Sequence, residues 1–265
     1  MVTEFADKNY WALILGGSSG LGLATAQKLA KHGINIIIVH RNRRPDLSAL
    51  VIGFDSIKEN GVELLTLNED ALSAVKRESM MATIRERLGE KGKIRMLIHS
   101  IAKGNLKPMA SADKPELEND DFHLTLDAMA ISLYDWTKAL FDNKFFAADA
   151  RVISFTSEGN TKAVKYYAAV SAAKAALEAI TRSIAVEFAQ YGIKANCIQA
   201  GVTDTVSFRM IPGSERIKEY ALGRNPNKRL TTPEDVANVV YLLCRDEAAW
   251  INGSIIIADG GEHIS

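Results

Sequence analysis

The chain has 265 residues, 47% of them hydrophobic, 24% charged and 7% aromatic, which excludes a collagenous, disordered or low-complexity protein and allows a sizeable core. Lys and Arg number 32 and so do Asp and Glu; the formal charge is zero, and no global basic surface argues for nucleic acid. No apolar run approaches the roughly 18 residues of a spanning helix, and Glu4, Asp7 and Lys8 stand where a signal peptide would be apolar, so a cytoplasmic protein without membrane association is expected.

Short β-branched and aromatic runs predict a strand over residues 10–15 and others over 34–39, 62–67, 94–98, 152–155, 193–198 and 255–258. Apolar spacings of three and four predict helices between them, over 21–31, 71–88, 122–141, 167–190 and 233–244. Continuous apolar strands alternating with amphipathic helices define an α/β class. The expected architecture is a doubly wound, seven-stranded parallel sheet with helices on both faces, a Rossmann arrangement in one domain over residues 1–265. Three loops break the rhythm: the basic 41–45, 103–119 with Pro108 and Pro115, and 201–227 with Pro212, Gly213, Gly223 and Pro226. All three leave strands at the carboxyl edge, where open sheets bind ligands. Cys197 and Cys244 stand alone in apolar stretches without CxxC or a nearby His, and read as small core residues. His99, His123 and His263 lack metal-ligand spacing and read as packing or surface residues; no metal site is expected.

The first predicted strand runs into Gly16-Gly17-Ser18-Ser19-Gly20-Leu21-Gly22 and then a helix. Glycines at that turn let the backbone approach a diphosphate, and the free N–H groups of the helix start favour its charge. After the second strand, where folds using the unphosphorylated cofactor place an acid, the chain reads His40-Arg41-Asn42-Arg43-Arg44. Cations there suit a 2′-phosphate, so the expected cofactor is NADPH over NADH, with Arg41 the favoured contact.

The helix after the fifth strand begins Tyr166-Tyr167-Ala168-Ala169-Val170-Ser171-Ala172-Ala173-Lys174. Residues seven apart return to nearly the same helix face about 10 Å along, so Tyr167 and Lys174 share a face and Tyr166 lies about 80° away. A Lys held by cofactor ribose hydroxyls, its charge lowering the pKa of the Tyr, would make a proton donor or oxyanion partner beside a nicotinamide.

These features resemble the short-chain dehydrogenase/reductase family over essentially the whole chain. The resemblance rests on Gly16-x-x-x-Gly20-x-Gly22, on Tyr167 with Lys174, on Asn196 ahead of Gly201-Val202-Thr203-Asp204-Thr205, and on Asn252-Gly253 followed by Asp259-Gly260-Gly261. Ordinary members carry Tyr four residues before Lys, and that position here is Val170. Tyr-x6-Lys is similar to the enoyl-acyl-carrier-protein reductases of the family, as are His99-Ser100-Ile101-Ala102 at the end of the fourth strand and Gln199-Ala200-Gly201, which lacks the common Pro.

A geometric reason accompanies the longer spacing. In ketone reduction the carbon taking the hydride bears the oxygen; in an enoyl thioester the hydride goes to Cβ, and charge appears on the thioester oxygen two carbons along. Moving Tyr three residues up the helix shifts its origin by roughly 4.5 Å in the required sense.

The resemblance implies Tyr167 and Lys174 as catalytic residues of an NADPH-dependent enoyl-thioester reductase in fatty-acid or related acyl synthesis. It also implies cofactor contacts from Gly16, Ser18, Ser19, Gly20, Leu21, Gly22, Arg41, Asp70, Ser100, Ile101, Lys174, Gly201, Thr203 and Thr205, with Asn68 competing with Asp70 for the adenine. Alternatives are a carbonyl or 3-oxoacyl thioester reductase, or a catalytically silent NADPH-binding regulator. The second Tyr often found in enoyl reductases ten residues before the catalytic one is Ser157 here, like the strand-end serine of ordinary members; it could bond the substrate oxygen or cap the strand. The helix Asn of ordinary members is missing, with Ala130 nearest its place.

Residues 206–220 have the character of a lid: Phe208, Met210 and Ile211 could line an acyl channel, and Arg209, Arg216 and Lys218 could meet an acidic acyl carrier protein. The Ala-rich face of 167–190 permits close helix approach, and similar family members pair there as homodimers or homotetramers.

Overall fold

Strands buried on both faces of a parallel sheet need unbroken apolar runs, and in this computed structural model, which describes residues 4–43 and 47–265, the central strands have them. Strands β1 (Tyr10–Leu15) and β2 (Asn35–His40) each bury every residue after the first. Strand β4 (Lys93–His99) does the same. The others are β3 (Leu64–Asn68), β5 (Phe146–Thr156), β6 (Ile193–Ala200) and β7 (Ile255–Ala258). They pair in the order β3-β2-β1-β4-β5-β6-β7, every pair parallel. The edge strands β3 and β7 are only half-buried, as strands with one neighbour are.

The helices are α1 (Gly20–Ala30), α2 (Leu47–Lys58), α3 (Ala74–Leu88), α4 (Asn119–Leu126), α5 (Ser132–Asp142), α6 (Ala168–Glu187), α7 (Val206–Arg209), α8 (Ser214–Arg224) and α9 (Pro233–Cys244). Alternate residues of β1 feed two cores. Trp11, Leu13 and Leu15 pack with α3, α5 and α6 through Ile84, Trp136 and Leu177. Ala12 and Ile14 pack with α1 and α9 through Leu29, Val236 and Val240. The expected doubly wound fold is therefore present, and the crossover from β1 to β2 on one side and β4 on the other opens a crevice at the carboxyl edge.

Three local features depart from the sequence expectation. Residues 122–141 do not form one helix: α4 and α5 are separated by a π-helical segment, Asp127–Ile131. Beyond it Ser132 donates to the Ala128 carbonyl (2.9 Å) and sits 2.7 Å from His99 Nε2, a buried polar contact reached across the widened turn. Helix α2 follows directly on the basic loop, and the 201–227 segment contains α7 and α8.

At the amino ends of the strands, Arg95 on β4 and Arg151 on β5 are fully buried. Arg95 Nη2 donates to the Cys244 carbonyl (2.6 Å) and Arg151 Nε to that of Leu243 (3.0 Å), so both cations satisfy the carbonyl end of α9. Asp246 balances Arg95 in part (2.8 Å), and Asp149 bonds Arg95 (2.8 Å), Arg151 and Lys194 (2.6 Å). Burial pushes the Asp149 carboxyl up, and the hydrogen bonds from Arg151 and Lys194 outweigh that and hold it far below the usual range. Both cysteines are buried and free, as expected.

Candidate active site

The carboxyl edge of the sheet carries a cleft of about 940 Å³ running from the β1–α1 turn past β4 and β5 to α8. At one end the glycine turn approaches the neighbouring strand closely. Gly16 has φ +78°, and a Cβ on it would lie 2.4 Å from the Ser100 carbonyl oxygen. Ser19 is the N-cap of α1 but makes no side-chain cap, which leaves first-turn N–H groups for a ligand. Gly16, Ser18, Ser19, Gly20 and Leu21 line the cleft, as do Ser100, Ile101, Gly201, Thr203 and Thr205. Gly22 does not; a Cβ there would meet the Gly16 carbonyl at 2.4 Å, so it lets helix and turn close on each other.

At the adenosine end, Arg41 and Asp70 both line the cleft and bond each other, Nη1 to Oδ2 at 2.8 Å. Burial raises the Asp70 carboxyl's pKa, and the Leu72 N–H and Arg41 bonds more than reverse that. Asn68 lies outside the cleft lining and donates to the Asn42 carbonyl instead, so of the two candidates Asp70 is the one in place. Arg43 is exposed, and Arg44 lies outside the described residues.

The reacting end is built by α6 and the turn after β5. Tyr167 is the N-cap of α6, with φ −114° and ψ 4°, and the helix starts at Ala168. Tyr166 ahead of it adopts φ +65°, a costly conformation for an aromatic residue. That reversal leads Tyr167 into the cleft, while Tyr166 is outside its lining, with Lys114 Nζ 5.5 Å from its ring. The Tyr167 ring lies on Gly159, where a Cβ would fall 2.7 Å from ring carbon Cε1. Val170 is buried and also lines the cleft.

Lys174 lines the same cleft and is buried; its Nζ donates 2.6 Å to the Phe155 carbonyl. Burial lowers its pKa to about 8, against the raising effects of Cys197 and Glu178. The expectation that Lys174 lowers the Tyr167 pKa is corrected. Burial pushes the phenol up, and the group opposing this is the Ser157 hydroxyl. Lys174 is instead anchored to the Phe155 carbonyl at the end of β5. Tyr167 is thus a protonated donor through the neutral range. Ser157 Oγ is buried in the cleft wall beside Tyr167 and has no hydrogen-bond partner of regular geometry. His99 is fully buried, its pKa pushed down to about 3 by burial and the Lys174 charge, which supports a packing role.

Around this centre lie residues the sequence reading missed. Arg224 of α8 bonds Glu158 (2.8 Å) and Glu262 (3.0 Å), tying the lid helix to the turn that carries Ser157. Glu178 holds Thr156 and Asn160. Asn196 and Asn252, by contrast, cross-link α6, β6 and β7 through backbone groups and stand away from the cleft. In the lid, Phe208, Ile211, Ile217 and Tyr220 line the cleft, whereas Met210 is exposed and outside it. Arg209 and Lys218 both bond Asp204, at 2.6 and 2.9 Å; Arg216 lines the mouth with no ion pair among the described residues. Among those residues no group of His, Cys, Asp or Glu could hold a metal. No helix is long and apolar enough to cross a membrane.

A glycine turn on β1, a Tyr and a Lys on α6 and a seven-stranded parallel sheet define a nucleotide-dependent oxidoreductase of the short-chain dehydrogenase/reductase class. The chain belongs to that family: residues 16–263 match the family model described as Enoyl-(Acyl carrier protein) reductase. It is 29% identical to the peroxisomal 2,4-dienoyl-CoA reductase of Mus musculus over 251 residues, 94% of this chain and 82% of that one. It is 30% identical to the 3-oxoacyl-[acyl-carrier-protein] reductase FabG of Pseudomonas aeruginosa, covering 96% and 97% of the two chains. Among solved structures, an enoyl-(acyl-carrier-protein) reductase from Anaplasma phagocytophilum in complex with NAD is similar in fold, at 20% identity and TM-score 0.82 over 100% and 95% of the chains. A short-chain dehydrogenase from Burkholderia cenocepacia in complex with NADP is 25% identical, with TM-score 0.80 over 97% and 99%. A nicotinamide cofactor is therefore supported, and the glycine cradle and the α1 terminus fit its diphosphate.

Proposed function

We propose that the protein reduces the trans-2 double bond of an enoyl thioester with NADPH. The observation that carries this reading is the place of the tyrosine: the phenol in the cleft belongs to the N-cap residue seven ahead of Lys174, and the position four ahead is filled by the apolar Val170. A phenol set at the helix start suits an oxygen remote from the carbon being reduced.

When bound, the nicotinamide would supply the hydride for Cβ of the thioester. The residues of this chain do the rest. Tyr167, kept protonated by burial, donates a hydrogen bond to the thioester oxygen as enolate charge develops there. Lys174 would hold the cofactor ribose and add positive potential, and a proton taken from water at Cα completes the saturated product. Phe208, Ile211 and Ile217 give the acyl chain an apolar wall and reduce water access. Arg41 and Arg43 favour a 2′-phosphate, with Asp70 orienting Arg41 until the phosphate competes for it.

A second reading, reduction of a 3-oxoacyl thioester, is favoured by one observation: the unpaired Ser157 hydroxyl beside Tyr167 could hold a ketone oxygen at the reacting carbon. NADPH oxidation across a panel of enoyl and oxoacyl thioesters separates the two, and cofactor binding without turnover of either would favour a silent regulator. Of the lid cations, Arg216 is our candidate contact for an acidic carrier protein, because Arg209 and Lys218 share Asp204 and Arg216 has no ion pair among the described residues. Arg216→Glu should raise KM for carrier-bound substrate more than for a coenzyme A thioester; equal effects would dismiss docking there. Pairing of two copies through the exposed small residues of α6, Ala172, Ala175 and Ala179, is the proposed assembly, and a monomer on gel filtration would exclude it.

A further inference from the structure

The strand end that carries Ser157 is pinned from below by one buried carboxylate. Glu178 lies one helical turn beyond Lys174 on the same face of α6, and the residue is only 7% exposed. Its Oε1 accepts from the Thr156 hydroxyl at 2.5 Å and from the Asn160 side-chain amide. Those two donors bracket Ser157, Glu158 and Gly159, the turn on which the Tyr167 ring rests. Glu178 makes no ion pair within 4 Å among the described residues, so its closest bonds are neutral.

We infer that Glu178 is a positioning residue for the proposed reaction, fixing the Thr156–Asn160 turn with its carboxylate while its negative charge keeps Lys174 protonated. The inference rests on the reading of Tyr167 and Lys174 as the reacting pair. A lysine taken out of water loses its proton readily unless an anion stands near.

The groups facing Lys174 from each side are few. The Phe155 carbonyl on β5 takes its hydrogen bond. Cys197 on β6 is a buried thiol whose pKa is pushed up by burial, so it is neutral at working pH. His99 on β4 is held neutral by burial. Tyr167, at the start of the same helix, is likewise protonated. Glu178 is left as the nearby charge, and it raises the Lys174 pKa against burial.

The test reads Lys174 directly. In the full chain with ¹³C-labelled lysine, the Cε resonance missing from Lys174→Met is assigned to Lys174 and titrated with and without Glu178→Gln. Gln preserves the shape and an acceptor oxygen but removes the charge. The midpoint should fall by about one to two units, as loss of a unit charge roughly 6–12 Å away predicts at an effective dielectric constant near 20. Glu178→Asp should restore most of it and serves if the Gln variant does not fold. An unchanged midpoint in a folded Gln variant overturns the inference.

The pH profile of turnover is measured in parallel on whichever thioester the protein reduces. A shifted Lys174 titration accompanied by an equal shift of the alkaline limb supports the inference within the reaction. A shifted titration that turnover ignores supports the Glu178–Lys174 coupling and counts against Lys174 as a reacting residue, so the two failures are distinguishable.

Discussion

Tyr167 and Gly159 meet so closely that a methyl group on the glycine would fall 2.7 Å from the tyrosine ring. No contact of that length survives, and the ring is not the end of a flexible chain that could swing aside cheaply. Gly159→Ala should therefore displace the phenol from its place over the turn, lowering kcat about tenfold or more while leaving cofactor affinity within about twofold. Steady-state kinetics with cofactor titration checks this; unchanged kcat would mean that the ring has no required position.

Removing the phenolic hydroxyl tests the chemistry itself. Tyr167→Phe should cut kcat by roughly 10²-fold or more, the usual range for losing a placed donor, with little change in cofactor Kd measured by fluorescence. Near-normal turnover would dismiss Tyr167 as the oxyanion partner.

Lys174 sets an expected pH dependence. Its pKa in the folded protein is lowered to about 8 by burial, so its charge is present below pH 8 and lost above it. Cofactor affinity and turnover should fall as pH rises through about 8, a limb that Lys174→Met abolishes. The sign for stability is opposite. The unfolded chain holds this proton up to the ordinary lysine value of 10.5, so between about 8 and 10.5 the unfolded state binds more protons and this group makes stability rise with pH.

Cofactor choice is expected to follow Arg41. With Asp70 as its partner the guanidinium is oriented across the adenosine end of the cleft. Arg41→Ala should raise KM for NADPH about tenfold and leave KM for NADH nearly unchanged. Equal changes for both would remove the 2′-phosphate from the account.

The far edge of the sheet makes a stability prediction. Asp149→Asn leaves the buried Arg151 with carbonyl partners but no balancing charge, while Arg95 keeps Asp246, and should cost about 3 kcal/mol in denaturant unfolding without altering the active site. The Asp149 carboxyl lies far below its unfolded value, so the stability it contributes is present above about pH 4 and lost as pH falls below that. A variant as stable as the parent would mean that the carbonyl bonds, with Asp246 on Arg95, satisfy both arginines.

Much of the frame was legible because strands such as Tyr10–Leu15 are apolar runs bounded by turn residues, a pattern that burial on two faces imposes. Gly16, Lys174 and Tyr167 were legible because spacing carries their chemistry. Arg224, Glu158 and Glu178 were not, since their partners lie on other elements and a single charged residue on a helix reads as solvated surface. Glu178 had one local signal, its spacing of four from Lys174. Helix α2 and the π segment at Asp127–Ile131 follow from tertiary packing, in the second case from the His99–Ser132 contact, which no local periodicity encodes. The raised Tyr167 pKa also required the fold, because burial against the Ser157 hydroxyl decides it.

The most direct test follows the hydride. Crotonyl thioester incubated with NADPH carrying deuterium at the transferable C4 position should yield a saturated butyryl thioester with the label at C3, and Tyr167→Phe should suppress its formation. Unreacted crotonyl thioester, beside conversion of acetoacetyl thioester to labelled 3-hydroxybutyryl thioester, would contradict reduction of the carbon–carbon double bond.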